Sequence, residues 1–320
     1  MTLRTSAAAA ILLVTPLSAH AQFTAPAWAF PAISPEIAQA PPYDSVKFRR
    51  VPLSARTFTQ AQVKDFFAPP DWHPASHPAM PEVVARGRKP TVFACGYCHL
   101  PDGQGRAENA VLAGLPVDYF IRQVADIKAG TRREAVSNWG PSVRMHDVAL
   151  AVSDSDVAEA ARYFAAIRAK PRYRVVEKAR IPVTYEAGGL YSVRPGTATE
   201  LLGARIIEIT DDLARHELRD ARTTFTAYVP PGSIGRGRRL ATTATPPLTS
   251  CTTCHGPALR GLGDIPPLAG RSPSYLLRQL VAFRTGARAA VMSAPMQAVV
   301  AGLSLDDMIA VVAYAGSLKP

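Results

Sequence analysis

Two short stretches of this 320-residue chain, Cys-Gly-Tyr-Cys-His at 95–99 and Cys-Thr-Thr-Cys-His at 251–255, hold all four of its cysteines. They stand 156 residues apart (251 minus 95), and the register runs well past the cysteines. LAGLPVDYFIRQVADIKAGTR at 112–132 matches LAGRSPSYLLRQLVAFRTGAR at 268–288 with the same offset. MHDVALAVSDSDVAEAARYF at 145–164 then matches MQAVVAGLSLDDMIAVVAYA at 296–315 with an offset of 151, so the first copy carries five extra residues around 134–141. Self-similarity of this kind means one supersecondary unit used twice. It constrains the fold more than any other feature, because whatever one copy forms the other must form too.

Each copy has helical periodicity. Phe120, Val124 and Ile127 share one face, as do Leu276, Leu280 and Phe283 in the second copy, at the spacing of a buried stripe. The last helix of each copy opens on a capping box, Ser153 with Asp156 and Ser304 with Asp307. That helix then offers Val157, Ala161, Phe164 and Ile167, or Met308, Val312, Ala315 and Leu318, to the interior. A shorter helix is expected before each cysteine motif, with Gly87 in VVARGRK and Gly237 in SIGRGRR allowing another helix to approach closely.

The segments outside the repeat divide the rest of the chain. Residues 1–21 place Arg4 before an apolar run and end in Ala-His-Ala, the pattern of a cleaved secretory leader. The apolar run is too short to span a membrane, so the mature protein is expected in the periplasm without a transmembrane segment. A Pro-rich arm covers 22–79, with one short helix near 59–67, and the two repeat units occupy 80–171 and 232–320. Between them, 172–231 carries strand-like runs (YRVVEKARIPVTY, ARIIEI, FTAYVP) broken by glycine and proline, a β-containing insert. Net charge is +11, about +10 once Arg4 leaves with the leader. With no basic helix interleaved with stacking aromatics, this charge suits an acidic protein or membrane surface rather than nucleic acid.

Paired cysteines two residues apart serve several chemistries. A structural zinc site gathers four ligands in one small knuckle, whereas these cysteines lie in two separate units. A thioredoxin-like disulfide belongs beside a βαβ pattern, and none surrounds either motif. The histidine directly after the second cysteine decides for covalent attachment of c-type haem. Thiols at i and i+3 reach one edge of the macrocycle and the imidazole meets the iron. The four attachment residues are Cys95, Cys98, Cys251 and Cys254, and the proximal iron ligands are His99 and His255. Repeat register nominates Met145 and Met296 for the opposite face, 46 and 41 residues after their histidines, where a thioether raises the potential of an electron-transfer haem. His146 and Met292 are the local rivals. His73 and His77, in DWHPASHP, have a metal-like interval but lie among prolines that favour a plain loop. Tyr97 and Trp139 are candidates for packing on the first macrocycle.

These residues resemble the class I cytochromes c, and their pairing is similar to the di-haem cytochrome c4 group. The resemblance covers 81–170 and 232–319. It rests on the two motifs, the Leu-Ala-Gly turns, Gln123 and Gln279, the Gly-x-Arg triplets at 130–132 and 286–288, the methionines, and Tyr163 and Tyr314. It implies a mainly α fold of two class I cytochrome c domains, with Gly87 and Gly237 at crossings of first and last helices. It also implies two haem c groups, His/Met ligation of iron and one-electron transfer. Arg132 and Arg288 are candidates for pairing with haem propionates. The first copy departs from the pattern by having Ala110 and Val111 where the second has Pro266 and Pro267.

The function expected is an exported di-haem electron carrier, not an enzyme, passing single electrons between redox proteins that are acidic or membrane-associated. Two other readings stand beside it: the cytochrome subunit of a periplasmic dehydrogenase or terminal oxidase, and a di-haem enzyme of peroxidase type. The last wants an open sixth position or a thiolate ligand, and no cysteine is left over to supply one.

Overall fold

The structure, a computed structural model, describes residues 23–32, 44–243 and 248–320. The expected leader lies outside the described residues. In the arm, β1 (Phe48–Arg49) pairs antiparallel with β2 (Phe58–Thr59), and α1 (Gln60–Val63) follows directly. Thr59 and Gln62 close a capping box there. The helix is one turn, shorter than the span expected, because the Asp65 carboxylate accepts the Phe67 N–H (2.8 Å) and draws the chain into a turn before Pro69 and Pro70.

The first repeat unit contains α2 (Glu82–Ala85), α3 (Cys95–His99), α4 (Val117–Lys128), α5 (Gly140–Ala151) and α6 (Asp154–Ala165). Ser153 accepts the Asp156 N–H at the start of α6. The apolar stripes of α4 and α6 meet in one core holding Phe120, Val124, Val157, Ala161, Phe164 and Ile167. Phe164 is fully buried, and burial of a side chain of that size contributes about 1.5–3 kcal/mol.

The insert then adds β3 (Tyr173–Glu177), β4 (Arg180–Pro182), β5 (Thr184–Glu186), β6 (Tyr191–Val193), β7 (Thr199–Leu201), β8 (Ile207–Thr210), α7 (Leu213–Glu217) and β9 (Phe225–Val229). Five strands form one mixed sheet in the order β3-β9-β8-β6-β5, while β4 and β7 pair separately. Every residue of β8 is buried, as befits a strand covered on both faces. The short α7 lacks an apolar stripe and was not foreseen. Asp212 caps it by accepting the Arg215 N–H at 3.0 Å.

The second repeat unit comprises α8 (Ser233–Thr243), α9 (Thr252–His255), α10 (Pro273–Arg284), α11 (Ala294–Ala301) and α12 (Leu305–Ser317). Its core joins Leu276, Phe283, Met308, Val312 and Ala315 to Ile206 and Val229 of the insert. The insert's Glu208 is bonded to the start of α10, accepting the Ser272 hydroxyl (2.8 Å) and the Ser274 N–H (3.1 Å).

The two glycines expected at helix crossings behave differently. Gly237 lies on α8, where a Cβ would sit 1.9 Å from the Ala310 carbonyl oxygen of α12, so the backbones touch. Gly87 lies beyond the end of α2, and a Cβ there would strike the Val92 carbonyl at 2.2 Å, not the last helix. The first-copy helix fails because Arg86 is already extended and Pro90, in the turn bridged by Arg88 and Val92, cannot continue it. An Arg–Asp pair still ties each unit's start to its last helix, Arg88 to Asp156 and Arg236 to Asp307.

Candidate functional site

The two motif histidines end the short helices α3 and α9. His99 Nδ1 donates to the Ala110 carbonyl at 2.9 Å, and His255 Nδ1 donates to the Pro266 carbonyl at 2.9 Å. The acceptors stand in repeat register, and since both are backbone carbonyls the proline absent from the first copy changes nothing in this bond. Burial lowers the pKa of both imidazoles. Each ring is therefore neutral near pH 7, its Nδ1 proton fixed and its Nε2 lone pair left for a metal.

Burial pushes the Cys95 thiol up to about 12 and raises Cys98 and Cys251 as well. Thiols so poorly ionised are unsuited to disulfide exchange. Among the described residues no three His, Cys, Asp or Glu side chains gather as a bound cation would require.

A cavity of about 840 Å³ is lined by Cys95, Cys98, His99 and Met145 from the first unit and by Cys251, Cys254, His255 and Met296 from the second. Met145 lies on α5 and packs on the first core, and Met296 lies on α11 and packs on the second. His146 also borders the cavity, its Nδ1 donating to the Ile127 carbonyl at 3.0 Å. Met292 is 70% exposed on the cavity's rim.

Arg132 and Arg288 border the same cavity and form the seam between the units. Their backbones pair as an antiparallel bridge, with Arg133 N–H to Ala287 O at 2.9 Å and Ala289 N–H to Thr131 O at 2.7 Å. Arg132 donates to Gln123 (2.9 Å), Gln279 (3.3 Å) and the Tyr275 hydroxyl (3.0 Å). Arg288 reciprocates with Gln279 (3.1 Å), Gln123 (2.6 Å) and Tyr119. Each of these positions maps on its counterpart by adding 156, so the seam has the reciprocity of a two-fold interface within one chain. The Arg288 Nε is buried without a partner. An acceptor in the cavity, such as a carboxylate on a large apolar ring, would satisfy it. Paired thiols, a metal-ready imidazole, a thioether and this guanidinium in one apolar cavity fit a haem carrying acidic side groups.

The histidines of the arm are structural. His73 Nε2 donates to Asp220 (2.9 Å), and His77 Nε2 donates to Asp71 (3.3 Å). Tyr97 and Trp139 do not border the cavity. The Tyr97 ring stacks under Arg219, and Trp139 enters the second unit's core, lies under Arg278 (4.5 Å) and donates to the Pro31 carbonyl (3.2 Å). The five extra residues of the first copy thus brace the second unit, where Glu134 also accepts from Gln279 at 2.7 Å.

Sequence reasoning missed the arginines that grip the first motif's loop. Arg172 donates to the Gln104 (3.1 Å) and Gly105 (2.8 Å) carbonyls, Arg278 to the Ala107 carbonyl (2.8 Å), and Arg271 to the Val111 (2.5 Å) and Ala113 (3.2 Å) carbonyls. For Arg271 a signal existed, since within the unbroken register its counterpart is Leu115, and an arginine stands where the first copy has an apolar side chain.

The family model for cytochrome c matches residues 234–319. Cytochrome c4 of Azotobacter vinelandii is 30% identical over 69% of this chain and 82% of its own length. The thiosulfate dehydrogenase electron acceptor of Stutzerimonas stutzeri is 27% identical over 71% of this chain and 80% of its own length. Among solved structures, thiosulfate dehydrogenase from Marichromatium purpuratum is 27% identical with a TM-score of 0.46, matching 72% of this chain and 37% of that one.

Proposed function

From a chain that belongs to the cytochrome c4 family of class I cytochromes c, we propose an exported di-haem carrier that accepts and donates single electrons between redox proteins. Its two cytochrome c domains are 80–171 and 232–320, with the insert and the arm packed around them. Cys95 and Cys98 would hold one haem and Cys251 and Cys254 the other, with His99 and Met145, and His255 and Met296, as the residues that would bind its iron. The observation that carries this reading is the cavity bordered by both complete sets.

The haem supplies a reversible one-electron couple when bound. The chain's own residues do the rest. The Ala110 and Pro266 carbonyls orient the imidazoles and raise their basicity. The apolar cores that border the cavity would keep water from a bound haem. The Arg132 and Arg288 seam presents cationic donors to acidic side groups from both units at once, joining the two redox sites through one hydrogen-bonded contact. No general acid, base or nucleophile is called for, and the protein is a carrier rather than an enzyme. Export to the periplasm agrees with the leader and with the compartment where c-type haem is attached. Among the described residues no single helix is long and apolar enough to cross a membrane.

A redox titration followed by absorbance tests the reading: two one-electron waves are expected, both keeping the far-red methionine-to-iron band when oxidised. Met145→Ala should remove about half of that band's intensity, as one of two sites, and His146→Ala should leave it. An unchanged spectrum in Met145→Ala would remove Met145 from the ligand set and bring back the peroxidase-type reading.

One observation favours a second reading, the dedicated cytochrome subunit of a periplasmic dehydrogenase. A relative matched over most of its length is named as a thiosulfate dehydrogenase electron acceptor. Native mass measurement of the exported protein separates a free carrier from such a subunit.

A further inference from the structure

The insert and the loop after the first motif together build a charge cluster against that motif, and the second motif lacks it. Arg219 follows α7 with φ 59, a left-handed conformation that residues with side chains rarely hold without cause. Its guanidinium lies 3.4 Å from the Tyr97 ring centroid, and Nη1 donates to the Tyr97 carbonyl at 2.8 Å, between the two cysteines of the motif. Its Nε is buried without a partner. Arg106 Nε pairs with Glu108 Oε1 at 3.1 Å, and its Nη2 donates to His216 Nε2 and to the His216 carbonyl (3.2 Å). Glu108 borders the cavity beside Cys98.

The net charge of this cluster follows from its bonds. His216 accepts at Nε2 and is neutral, burial and the Arg106 charge pushing it down to about 4. Burial alone would raise Glu108, but Arg106, His216 and a backbone N–H together outweigh it and keep the carboxylate ionised. Two guanidinium charges against one carboxylate leave one positive charge where Arg106 and Glu108 are buried and Arg219 is half-buried. The Cys98 thiol feels all three groups.

At the second motif the counterparts of Arg106 and Glu108 are Leu262 and Asp264, both exposed. Asp264 pairs with the partly exposed Arg122 at 3.1 Å, where solvent screens both charges.

We propose that this cluster, to which the insert contributes Arg219 as the tuning residue, makes the first haem hold its electron more tightly than the second. Oxidation adds a positive charge to the haem, and a buried positive charge nearby opposes it. The inference rests on the two-haem reading above. The electron in a half-reduced molecule then resides on the haem wrapped by the insert, and the haem behind the exposed loop is the one that gives it up more readily.

The test is a spectroelectrochemical titration of the haem-loaded full chain and three variants. Arg219→Gln should lower one wave by about tenfold in electron affinity, which is about 59 mV for one electron. Glu108→Gln should raise the same wave, and Arg219→Lys, which keeps the charge, should leave it near the wild-type position. In a Met296→Ala background, which marks the second haem by loss of its far-red band, the moving wave should be the unmarked one. The inference is overturned if Arg219→Gln and Glu108→Gln shift in the same direction, if neither moves a wave, or if both waves move together. Where Arg219→Gln yields no haem-loaded protein, the upward shift in Glu108→Gln decides alone. A wild-type protein without two waves overturns the two-haem reading itself, and this inference with it.

Discussion

The loop after the first motif is buried at every residue from 101 to 108, while its counterpart from 257 to 264 is mostly in solvent. The two loops belong to matched units, and each ends in the same histidine-to-carbonyl bond. They differ in what covers them. Arg172 and Arg219 of the insert and Arg271 and Arg278 of the second unit close over the first loop, whereas nothing comparable among the described residues covers the second. Repeat counterparts part company for the same reason: Arg278 is buried against Ala107, and Arg122, its match, is partly exposed beside Asp264. A duplicated sequence therefore supplies equivalent side chains, and the unmatched segments make their surroundings unequal.

The largest expected effect bears on whether the halves are independent. Trp139→Ala removes a ring that belongs to the first copy by sequence and to the second core by packing. A loss of about 3–5 kcal/mol is expected for a buried Trp, and hydrogen exchange should report faster opening of α10 and α12 than of α4 and α6. Opening confined to the first unit would break the assignment.

Gly237→Ala comes next. Its Cβ would meet the Ala310 carbonyl, so α8 and α12 must part, at a cost of about 1–3 kcal/mol in denaturant unfolding. On the two-haem reading, the methionine band belonging to the second unit should weaken before that of the first. Equal weakening of both would mean the units unfold as one.

The smallest effect concerns the seam between insert and second unit. Burial raises the Glu208 carboxyl to about 7 from an ordinary 4.5. Between those values the folded chain keeps a proton that the unfolded chain has released, so this group's contribution to stability falls as pH rises through that window. Glu208→Gln should flatten the thermal midpoint between pH 5 and 7.5 by about 2–4 °C relative to wild type, equivalent to about 1 kcal/mol. An identical pH profile in the variant would show that Glu208 titrates normally.

Much of the fold was legible because its signals are local. The stripes through Phe120 and Leu276, the capping serines 153 and 304, and the strand runs at 173, 207 and 225 each depend on spacing within one element. At the site, the motif residues followed from Cys-x-x-Cys-His spacing, and repeat register nominated the two methionines, which border the cavity. Gly87 misled because a glycine that permits a close helix crossing is indistinguishable in sequence from one that ends a helix; Pro90, three residues on, was the overlooked sign. Trp139 misled because nearness in sequence to the first motif says nothing about which core an inserted loop enters.

The sequence by itself determined that one helical unit occurs twice, that each copy carries its own pair of thiols, histidine and methionine, and that strands separate them. Periodicity, capping and motif spacing are short-range properties, so they survive reading along the chain. Tertiary structure alone decided that the arginines at 132 and 288 meet across a two-fold seam, that the five extra residues brace the opposite unit, and that Arg219 lies against Tyr97. Those contacts join residues more than a hundred positions apart, and their existence depends on how whole elements pack, which no local pattern encodes.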